Sequence, residues 1–413
     1  MISALLLAAW TGVVPEEMLC QAGYPSEDHL LEGSLSVGGA RHRDTGDFGE
    51  FSGKALVAEG RFYHAPHCPL VIREAVFRRP DGSGGVAFFD EVRFLSADAF
   101  GSFLNAGFSG PGTCEGDVSE ISFIRGRVLS DDDMSDEGQN RERMTLGSGT
   151  ITVRSDNDCL SPETFVLGGG GVSGVDGSAM VFSSLAADYR SPPAPWVPSV
   201  LSVSDPAVYT PSGDMVMSAD EAGFRWPGED LGMLGSASVT GGNVILSEIL
   251  PPDFLKDVGI ASPDMPKSFE MGMDVSPHAD GSKRFAFDLS FEGLAVLSGE
   301  IRARAAGMTA QSLMGGSLIS AQAAFSDLGL LSVYENYAGE TMGRTIASVT
   351  LPGPAMFRKS LDGLGGWIDG LKGRAIEVTV SPEDEMKFLA MAAMFAMRGE
   401  AMIDTLGVTT KTP

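Results

Sequence analysis

The sequence predicts a mainly β fold of the α+β kind, in which antiparallel twisted sheets form two domains and a few amphipathic helices lie towards the C-terminal end. Three observations predict this class. Apolar and polar residues alternate with a period of two in both halves of the chain, glycine-rich turns separate the alternating segments, and a proline-rich segment divides them. One apolar side and one polar side on neighbouring strands is typical of antiparallel sheets.

The strands are predicted from this alternation. Phe285, Phe287, Leu289 and Phe291 fall on one side of their segment, and the residues between them are small or polar. The glycine-rich turn at residues 81–84 is of the kind that joins two antiparallel strands. In chain order the predicted strands are residues 54–63, 71–77, 86–94, 120–124, 150–154, 269–275, 285–291, 297–305, 319–325 and 376–380.

Four helices are predicted from caps and apolar stripes. The segment Ser381-Pro382-Glu383-Asp384 is an N-terminal helix signature, because it combines a hydroxyl cap, a proline at the first helical position and acids near the helix dipole. The predicted helices are residues 97–106, residues 328–338 after a cap at Ser326 or Asp327, residues 355–371, and residues 381–402. The glycine run at residues 168–171 predicts a flexible loop or hairpin between strands.

The proline-rich segment at residues 190–212 predicts the domain boundary. Six prolines occur between Pro192 and Pro211, and proline cannot continue a helix interior or a central strand. The predicted organisation is a signal peptide at residues 1–19, a β-rich domain at 20–189, a linker or extended strap at 190–212, and a second β-rich domain with methionine-rich helices at 213–413.

The net charge of −26 limits the classes of partner that the protein is expected to bind. Non-specific nucleic-acid binding is supplied by clustered lysines and arginines, so this acidity argues against a nucleic-acid partner. A solubilising surface charge is the simplest interpretation.

The four cysteines predict two disulfides in the first domain. Cys20, Cys68, Cys114 and Cys159 form no CxxC pair, which argues against a zinc site and leaves three disulfide connectivities open. The apolar run at residues 2–14 has the length of a signal-peptide core and is too short to span a bilayer, and no other segment predicts a transmembrane helix.

Together the cysteines and this run predict a periplasmic or extracellular protein. A lipoprotein modified at Cys20 and a cytosolic protein with an apolar start stay open, because no basic residue precedes Arg41.

Known catalytic signatures are absent from the sequence, which predicts a protein without catalytic residues. No GxSxG, HExxH, P-loop or GxGxxG motif occurs in a suitable context, and only five histidines are present. His64, His67 and Cys68 form the one cluster of soft ligands; the alternatives are a transition-metal site and a disulfide-anchored loop.

The acidic stretch around residues 131–142 predicts, at most, a weak calcium site. Asp131, Asp133, Ser135 and Glu142 occupy positions 1, 3, 5 and 12 of an EF-hand-like spacing, and oxygen ligands suit Ca²⁺. Position 6 is Asp136 instead of glycine, so a solvated loop is the alternative. No other cofactor is predicted.

The C-terminal segment has the most distinctive apolar composition. Methionine-rich faces suit surfaces that accept variable apolar partners, and ordinary core burial is the alternative. The candidate ligand-binding residues are Met386, Phe388, Met391, Met394, Phe395 and Met397.

These observations predict an exported, non-catalytic protein that binds an apolar or lipidic ligand, or a partner in the cell envelope, through a β-sheet and a methionine-rich helix surface. A structural or assembly role in the envelope is one alternative. The other is a secreted hydrolase that uses two carboxylates as acid and base.

Overall fold

A computed structural model describes most of the chain. The described residues are 41–45, 48–64, 68–83, 85–129, 144–156, 159–174, 176–190, 197–226, 235–249, 264–304, 315–348, 366, 368–388, 390–391, 407 and 409–411. They are mainly antiparallel strands with few helices, as the alternation predicts. The chain divides into two compact units, Met1–Leu201 and Ser202–Pro413.

The N-terminal unit is a meander in which each strand pairs with the next one along the chain. All of these strand pairs are antiparallel. Its elements are β1 (Arg41–Thr45), β2 (Phe48–Ser52), β3 (Val57–Tyr63), β4 (Leu70–Arg78), β5 (Val86–Phe94), α1 (Ala97–Ala106), β6 (Asp117–Leu129), β7 (Met144–Asp156), β8 (Cys159–Ser173) and β9 (Ala179–Asp188).

Helix α1 covers one face of this sheet, which we call the inner face. The Ser96 side chain caps the helix by accepting a hydrogen bond from the Ala99 N–H at 3.1 Å. Phe100 and Leu104 are fully buried against the sheet. Phe100 makes edge contacts with Phe51 and Phe94, at ring distances of 5.4 and 5.0 Å. The core of the unit is therefore an aromatic cluster between helix and sheet.

A line of residues that the strand pairing passes over crosses the sheet from β4 to β9. Arg73 pairs with Glu91 and Ala75 with Phe89, so the register passes over Glu74 and the residue opposite it. The same omission recurs in each following pair of strands, and two of the residues passed over, Glu74 and Arg125, have positive φ angles of 51° and 39°. The partners on either side keep the same register, so neither strand of a pair carries an extra residue there. We call these residues the ladder break; they are Glu74, Asp90, Arg125, Gly147, Gly169 and Ser183.

The glycine run at residues 168–171 lies inside β8, so the predicted loop is wrong. A Cβ added to Gly147 of β7 would lie 3.0 Å from the Gly169 carbonyl oxygen, and Gly169 itself has φ +80°. Glycine therefore serves here for close approach of two backbones and for a left-handed position within the strand, and not for flexibility.

The C-terminal unit is also an antiparallel sheet, and its helices are short. Strand β11 pairs with β12, β12 with β14, and β13 to β19 pair in chain order, while β20 and β21 pair with β18 and β19. Its elements are β10 (Val200–Ser204), β11 (Ala207–Tyr209), β12 (Met215–Ser218), β13 (Glu221–Arg225), β14 (Ser236–Val244), α2 (Leu246–Ile249), β15 (Lys267–Pro277), β16 (Lys283–Phe291), β17 (Ala295–Arg304), β18 (Ser317–Asp327), α3 (Leu330–Ala338), α4 (Met342–Ser348), β19 (Ala375–Val380), β20 (Met386–Lys387) and β21 (Thr409–Lys411).

Apolar side chains on one face of this sheet form small separate clusters. Val275, Phe285 and Ala303 make one of them, with Ile301 and Phe388 packed against it. The other two clusters centre on Val244 with Leu246 and on Leu331 with Leu371 and Ile376. On the same face, Met271 and Leu289 form a cross-strand pair and are each 43% exposed.

The predicted helix at 97–106 is confirmed, and the one at 328–338 begins two residues later, at Leu330. Asp327 accepts hydrogen bonds from the N–H groups of Gly329 and Leu331, so the predicted cap serves the first turn. Most of the predicted helix at 355–371 lies outside the described residues. Part of the proline-rich segment forms β10 and β11, although none of its prolines lies within either strand.

The predicted helix start at Ser381 is wrong, because Met386 and Lys387 form strand β20. The Glu385 carboxylate accepts hydrogen bonds from the Ser317 hydroxyl and from Arg304, and this contact holds the chain against β18, where Met386 pairs with Leu318. Helical backbone is first present at Phe388.

Candidate ligand-binding site

A cavity of about 510 Å³ lies against the inner face of the N-terminal unit, beside the C-terminal end of α1. This volume is within the range of roughly 300 to 1,000 Å³ that is usual for small-molecule sites. The lining contains Arg78 and Arg79 at one end, and every other lining residue is apolar or glycine. The site is therefore suited to an apolar ligand.

A row of aromatic side chains forms the floor of the cavity. Phe77, Phe89, Phe123 and Phe165 stand on β4, β5, β6 and β8, and all four line the cavity. Successive ring centroids lie 6.0, 5.2 and 6.4 Å apart. These distances are those of favourable aromatic pairs. We call these four residues the aromatic row.

Two glycines allow the aromatic row to lie flat on the sheet. Phe89 pairs with Gly126, and Phe123 pairs with Gly149, across adjacent strands. A Cβ on Gly126 would lie 2.5 Å from Cε1 of Phe89, and one on Gly149 would lie 2.9 Å from Cε1 of Phe123. Each ring thus occupies the place where the neighbouring residue would carry a side chain.

The C-terminal turn of α1 and the residue after it form the opposite wall. Phe103 contacts Phe77 at 5.4 Å and Phe108 at 5.3 Å, so the wall meets the aromatic row. The Leu104 carbonyl at the helix end accepts hydrogen bonds from the N–H groups of Ala55 and Leu56, at 3.0 and 2.9 Å. These bonds satisfy a helix carbonyl that has no partner within the helix.

A disulfide fixes the loop that carries Phe108. Cys114 and Cys159 are bonded, with 5.8 Å between their Cα atoms, and join this loop to the start of β8. The loop is also held by a hydrogen bond of 2.8 Å from the Ser109 N–H to the Leu160 carbonyl. The position of Phe108 is consequently held by the covalent framework of the unit.

The depth of the cavity follows from the burial of its lining. Phe94 is fully buried, Val92 is 3% exposed and Ile121 is 4% exposed, so these residues form the deep end. Leu146 is half-buried and Arg79 is exposed, so the cavity opens at the β4–β5 turn.

The two arginines at this open end differ in their partners. The Arg78 guanidinium lies 2.6 Å from the Glu59 carboxylate and 3.5 Å from that of Glu50. Arg79 forms no ion pair with the described residues, although it helps to lower the pKa of Asp81, which is lowered mainly by hydrogen bonds from Ser83. Arg79 lies two residues after Phe77 and so falls on the inner side by strand alternation.

Among the described residues, the lining holds no carboxylate, histidine or nucleophilic side chain, and its ionisable groups are the two guanidinium groups. This arrangement can bind and orient an apolar ligand.

Of the methionine-rich residues predicted as a ligand site, the described ones, Met386, Phe388 and Met391, are not among the residues that line this cavity. Phe388 packs against the cluster of Val275, Phe285 and Ala303, and Met386 is half-buried in strand β20. Met391 is half-buried, and Met394, Phe395 and Met397 lie outside the described residues.

The predicted metal ligands Asp131, Asp133, Ser135 and Glu142 also lie outside the described residues, as does His67. Cys68 is disulfide-bonded. Burial lowers the pKa of His64, and its buried Nδ1 has no hydrogen-bond partner in the structure. Within the described part of the chain, no three metal-binding side chains come together.

Sequence reasoning missed the cavity, although two signals for it are present. The period-two alternation of β5 changes phase at Asp90, since Ala87 and Phe89 share a face with Val92 and Phe94. Such a phase change indicates that the regular alternation of the strand is interrupted there. The second signal is glycine inside strands, at Gly126 and Gly149, which marks close approach of a neighbouring group.

Comparisons of the chain with family models and with curated proteins found no match. Among the described residues, no helix is long and apolar enough to cross a membrane.

Proposed function

We propose that this protein is an exported, non-catalytic binding protein whose N-terminal unit holds the hydrocarbon chain of a lipid-like ligand. The observation that carries this proposal is the cavity of about 510 Å³, whose lining is apolar except for two arginines at its open end. A hydrocarbon chain fits such a lining because it brings no polar group that would lose its hydrogen bonds on burial.

The expected affinity follows from the apolar surface area of the hydrocarbon chain that binding removes from water. Each buried methylene contributes about 0.8 kcal/mol, which corresponds to a factor of about four in Kd. A ligand that reaches from the open end to Phe94 would gain about this factor in affinity for each methylene that it buries. The aromatic row offers ring faces along the path, and such contacts add dispersion energy.

Export is supported by the disulfide and by the apolar N-terminal run. The Cys114–Cys159 bond indicates an oxidising compartment, since structural disulfides are rare in the cytosol of ordinary cells. Residues 2–14 have the composition of a signal-peptide core. We therefore assign the protein to the periplasm or the extracellular space as part of the proposal.

The test is calorimetric titration of the delipidated full chain with saturated fatty acids of about eight to eighteen carbons. We expect one ligand per chain and a Kd that falls about fourfold with each added methylene until the cavity is full. Absence of binding by every chain length would overturn the proposal, as would an affinity that does not depend on chain length.

Two variants locate the site. Leu146→Asp places a carboxylate in the lining and should abolish binding, whereas Ile124→Asp, at a residue 42% exposed outside the lining, should not change it. If Leu146→Asp fails to fold, Ala87→Leu fills the cavity with an apolar group and should weaken the binding of long chains. Equal affinities in the wild type, Leu146→Asp and Ile124→Asp would exclude this cavity.

A further inference from the structure

We infer that Gly126 and Gly149 determine the length of hydrocarbon chain that the cavity accepts. This inference rests on the proposed function, and it assigns a specificity role to two residues that do not themselves line the cavity. They act through Phe89 and Phe123, whose rings do line it.

The rings of Phe89 and Phe123 lie directly over the two glycines. A Cβ on Gly126 would be 2.5 Å from Cε1 and 2.6 Å from Cδ1 of Phe89. On Gly149, a Cβ would be 2.9 and 3.0 Å from Cε1 and Cε2 of Phe123. Carbon atoms in proteins make favourable contact at about 3.5 to 4.0 Å, so either substitution must displace the ring.

An added methyl group pushes the ring away from the glycine beneath it, and both rings line the cavity. Along the row, Phe89 has Phe77 on one side at 6.0 Å and Phe123 on the other at 5.2 Å. Phe123 is flanked by Phe89 and by Phe165, the latter at 6.4 Å. The sheet backbone lies beneath both rings, and the space above them is the cavity. A methyl group on either glycine therefore lifts a ring into the space of the ligand.

The chain offers a matched control at Gly170. Phe182 on β9 lies over Gly170 on β8, and a Cβ there would be 2.9 Å from Cζ of that ring. It would also be 2.8 Å from the Thr145 carbonyl oxygen, so Gly170→Ala is at least as disruptive locally. Neither Gly170 nor Phe182 lines the cavity.

The experiment measures the fatty-acid series on the wild type, Gly126→Ala, Gly149→Ala and Gly170→Ala. In the wild type we expect affinity to rise with chain length up to a limit. In Gly126→Ala and Gly149→Ala this limit should move to chains shorter by about two methylenes, so that the longest chains lose about sixteenfold in affinity while short chains keep theirs. Gly170→Ala should keep the wild-type limit.

A double variant separates size selection from general damage. Phe123→Leu in the Gly149→Ala background removes the tip of the displaced ring and should restore binding of long chains. The inference is overturned if all three alanine variants share one profile, or if the affinity for every chain length falls equally. A wild-type protein that binds no fatty acid would instead overturn the proposed function, so the two failures are distinguishable.

Discussion

The two units of this protein build their sheets from the same local devices but use them differently. Phenylalanine lies over a cross-strand glycine in both: Phe89 over Gly126 in the N-terminal unit, and Phe287 over Gly299 in the C-terminal unit. Both units also contain hairpin turns of sequence Asp-Gly-Ser, which begin at Asp81 and Asp176 in the N-terminal unit and at Asp280 in the C-terminal unit. In each turn the aspartate accepts hydrogen bonds from the N–H and the hydroxyl of the serine.

The difference between the units lies in the ladder break and in α1. In the C-terminal unit, β15 and β16 pair over nine consecutive residues, as do β16 and β17, with none passed over. In the N-terminal unit the register passes over one residue in each of six strands, and α1 packs on the inner face. In this molecule, the sheet face that lines the cavity is the one that crosses the ladder break and carries α1 as the opposite wall.

The largest expected effect compares one core residue from each unit. Phe100→Ala removes a fully buried ring from the N-terminal unit and should lower its free energy of unfolding by about 3 to 5 kcal/mol. Leu289→Ala, at a position 43% exposed in the C-terminal unit, should cost only about 1 kcal/mol. Hydrogen exchange followed by mass spectrometry measures each unit separately, because protection is resolved by peptide.

The comparison would fail if Leu289→Ala reduced protection across the C-terminal unit as strongly as Phe100→Ala does in its own unit. That result would show that the apolar face around Met271 and Leu289 is covered in solution. Ser298→Ala, a half-buried position on the opposite face of β17, is the control for nonspecific effects of substitution in this sheet.

The second prediction concerns the disulfide. Replacing Cys114 and Cys159 by serine removes a cross-link over 45 residues, worth about 4 kcal/mol on the chain-entropy account. We expect a loss of about 2 to 4 kcal/mol in the N-terminal unit and unchanged exchange of β15–β18. The ligand should also bind less tightly, because the loop carrying Phe108 is released. Reduced protection in the C-terminal unit would contradict this prediction, because it would show that the disulfide stabilises more than its own unit.

The third prediction uses the turn that both units share. Hydrogen bonds from the Ser282 hydroxyl and N–H, followed by the contact with Arg302 at 2.8 Å, hold the pKa of Asp280 well below its usual value. A carboxylate with a lowered pKa contributes stability above the unfolded-state pKa of about 4, and this contribution is lost as the pH falls below that value. Thermal unfolding of the wild type should therefore shift to lower temperature in acid.

In Asp280→Asn that contribution is absent at neutral pH, so the difference in midpoint from the wild type should shrink as the pH falls towards 3. Asp81→Asn is the matched comparison. Asp81 accepts the same two hydrogen bonds from Ser83 that Asp280 accepts from Ser282, but no arginine of the described residues lies at ion-pair distance from it. An equal shift in both variants would show that Arg302 adds nothing to the shared turn.

Much of the fold could be predicted from sequence because alternation and caps are local signals. The helix at 97–106 has the predicted bounds because Ser96 caps its start. The strand at 86–94 has the predicted bounds because turn residues lie at its ends. The start of a helix at Ser381 could not be judged locally, because Glu385 contacts Ser317, which is 68 residues away.

The candidate site was harder to predict because it depends on register. In the sequence alone, Phe89 and Gly126 look like ordinary strand residues. Only the pairing of β5 with β6 shows that the ring of one lies over the other. Pairing across five strands then assembles the aromatic row from residues that are spread over β4 to β8. Composition pointed instead to the methionine-rich segment, because a run of neighbouring residues is visible without knowledge of register.

The smallest expected effect concerns Arg79 and sharpens the assignment of binding to the N-terminal unit. If the ligand enters at the β4–β5 turn, its carboxylate lies near this exposed guanidinium. Exposed ion pairs contribute about 0.2 to 1 kcal/mol, so Arg79→Gln should weaken fatty-acid binding by roughly twofold to fivefold at low salt. Binding of the methyl ester, which carries no charge, should not change.

Arg78→Gln is the control for this prediction. Arg78 already pairs with Glu59 and Glu50, so its removal should affect the acid and the ester alike. The salt dependence gives a second readout, because the preference for acid over ester should decline as ionic strength rises in the wild type and stay flat in Arg79→Gln. An unchanged preference for the acid in Arg79→Gln would place the headgroup elsewhere, and the entrance to the cavity would then have to lie away from the β4–β5 turn.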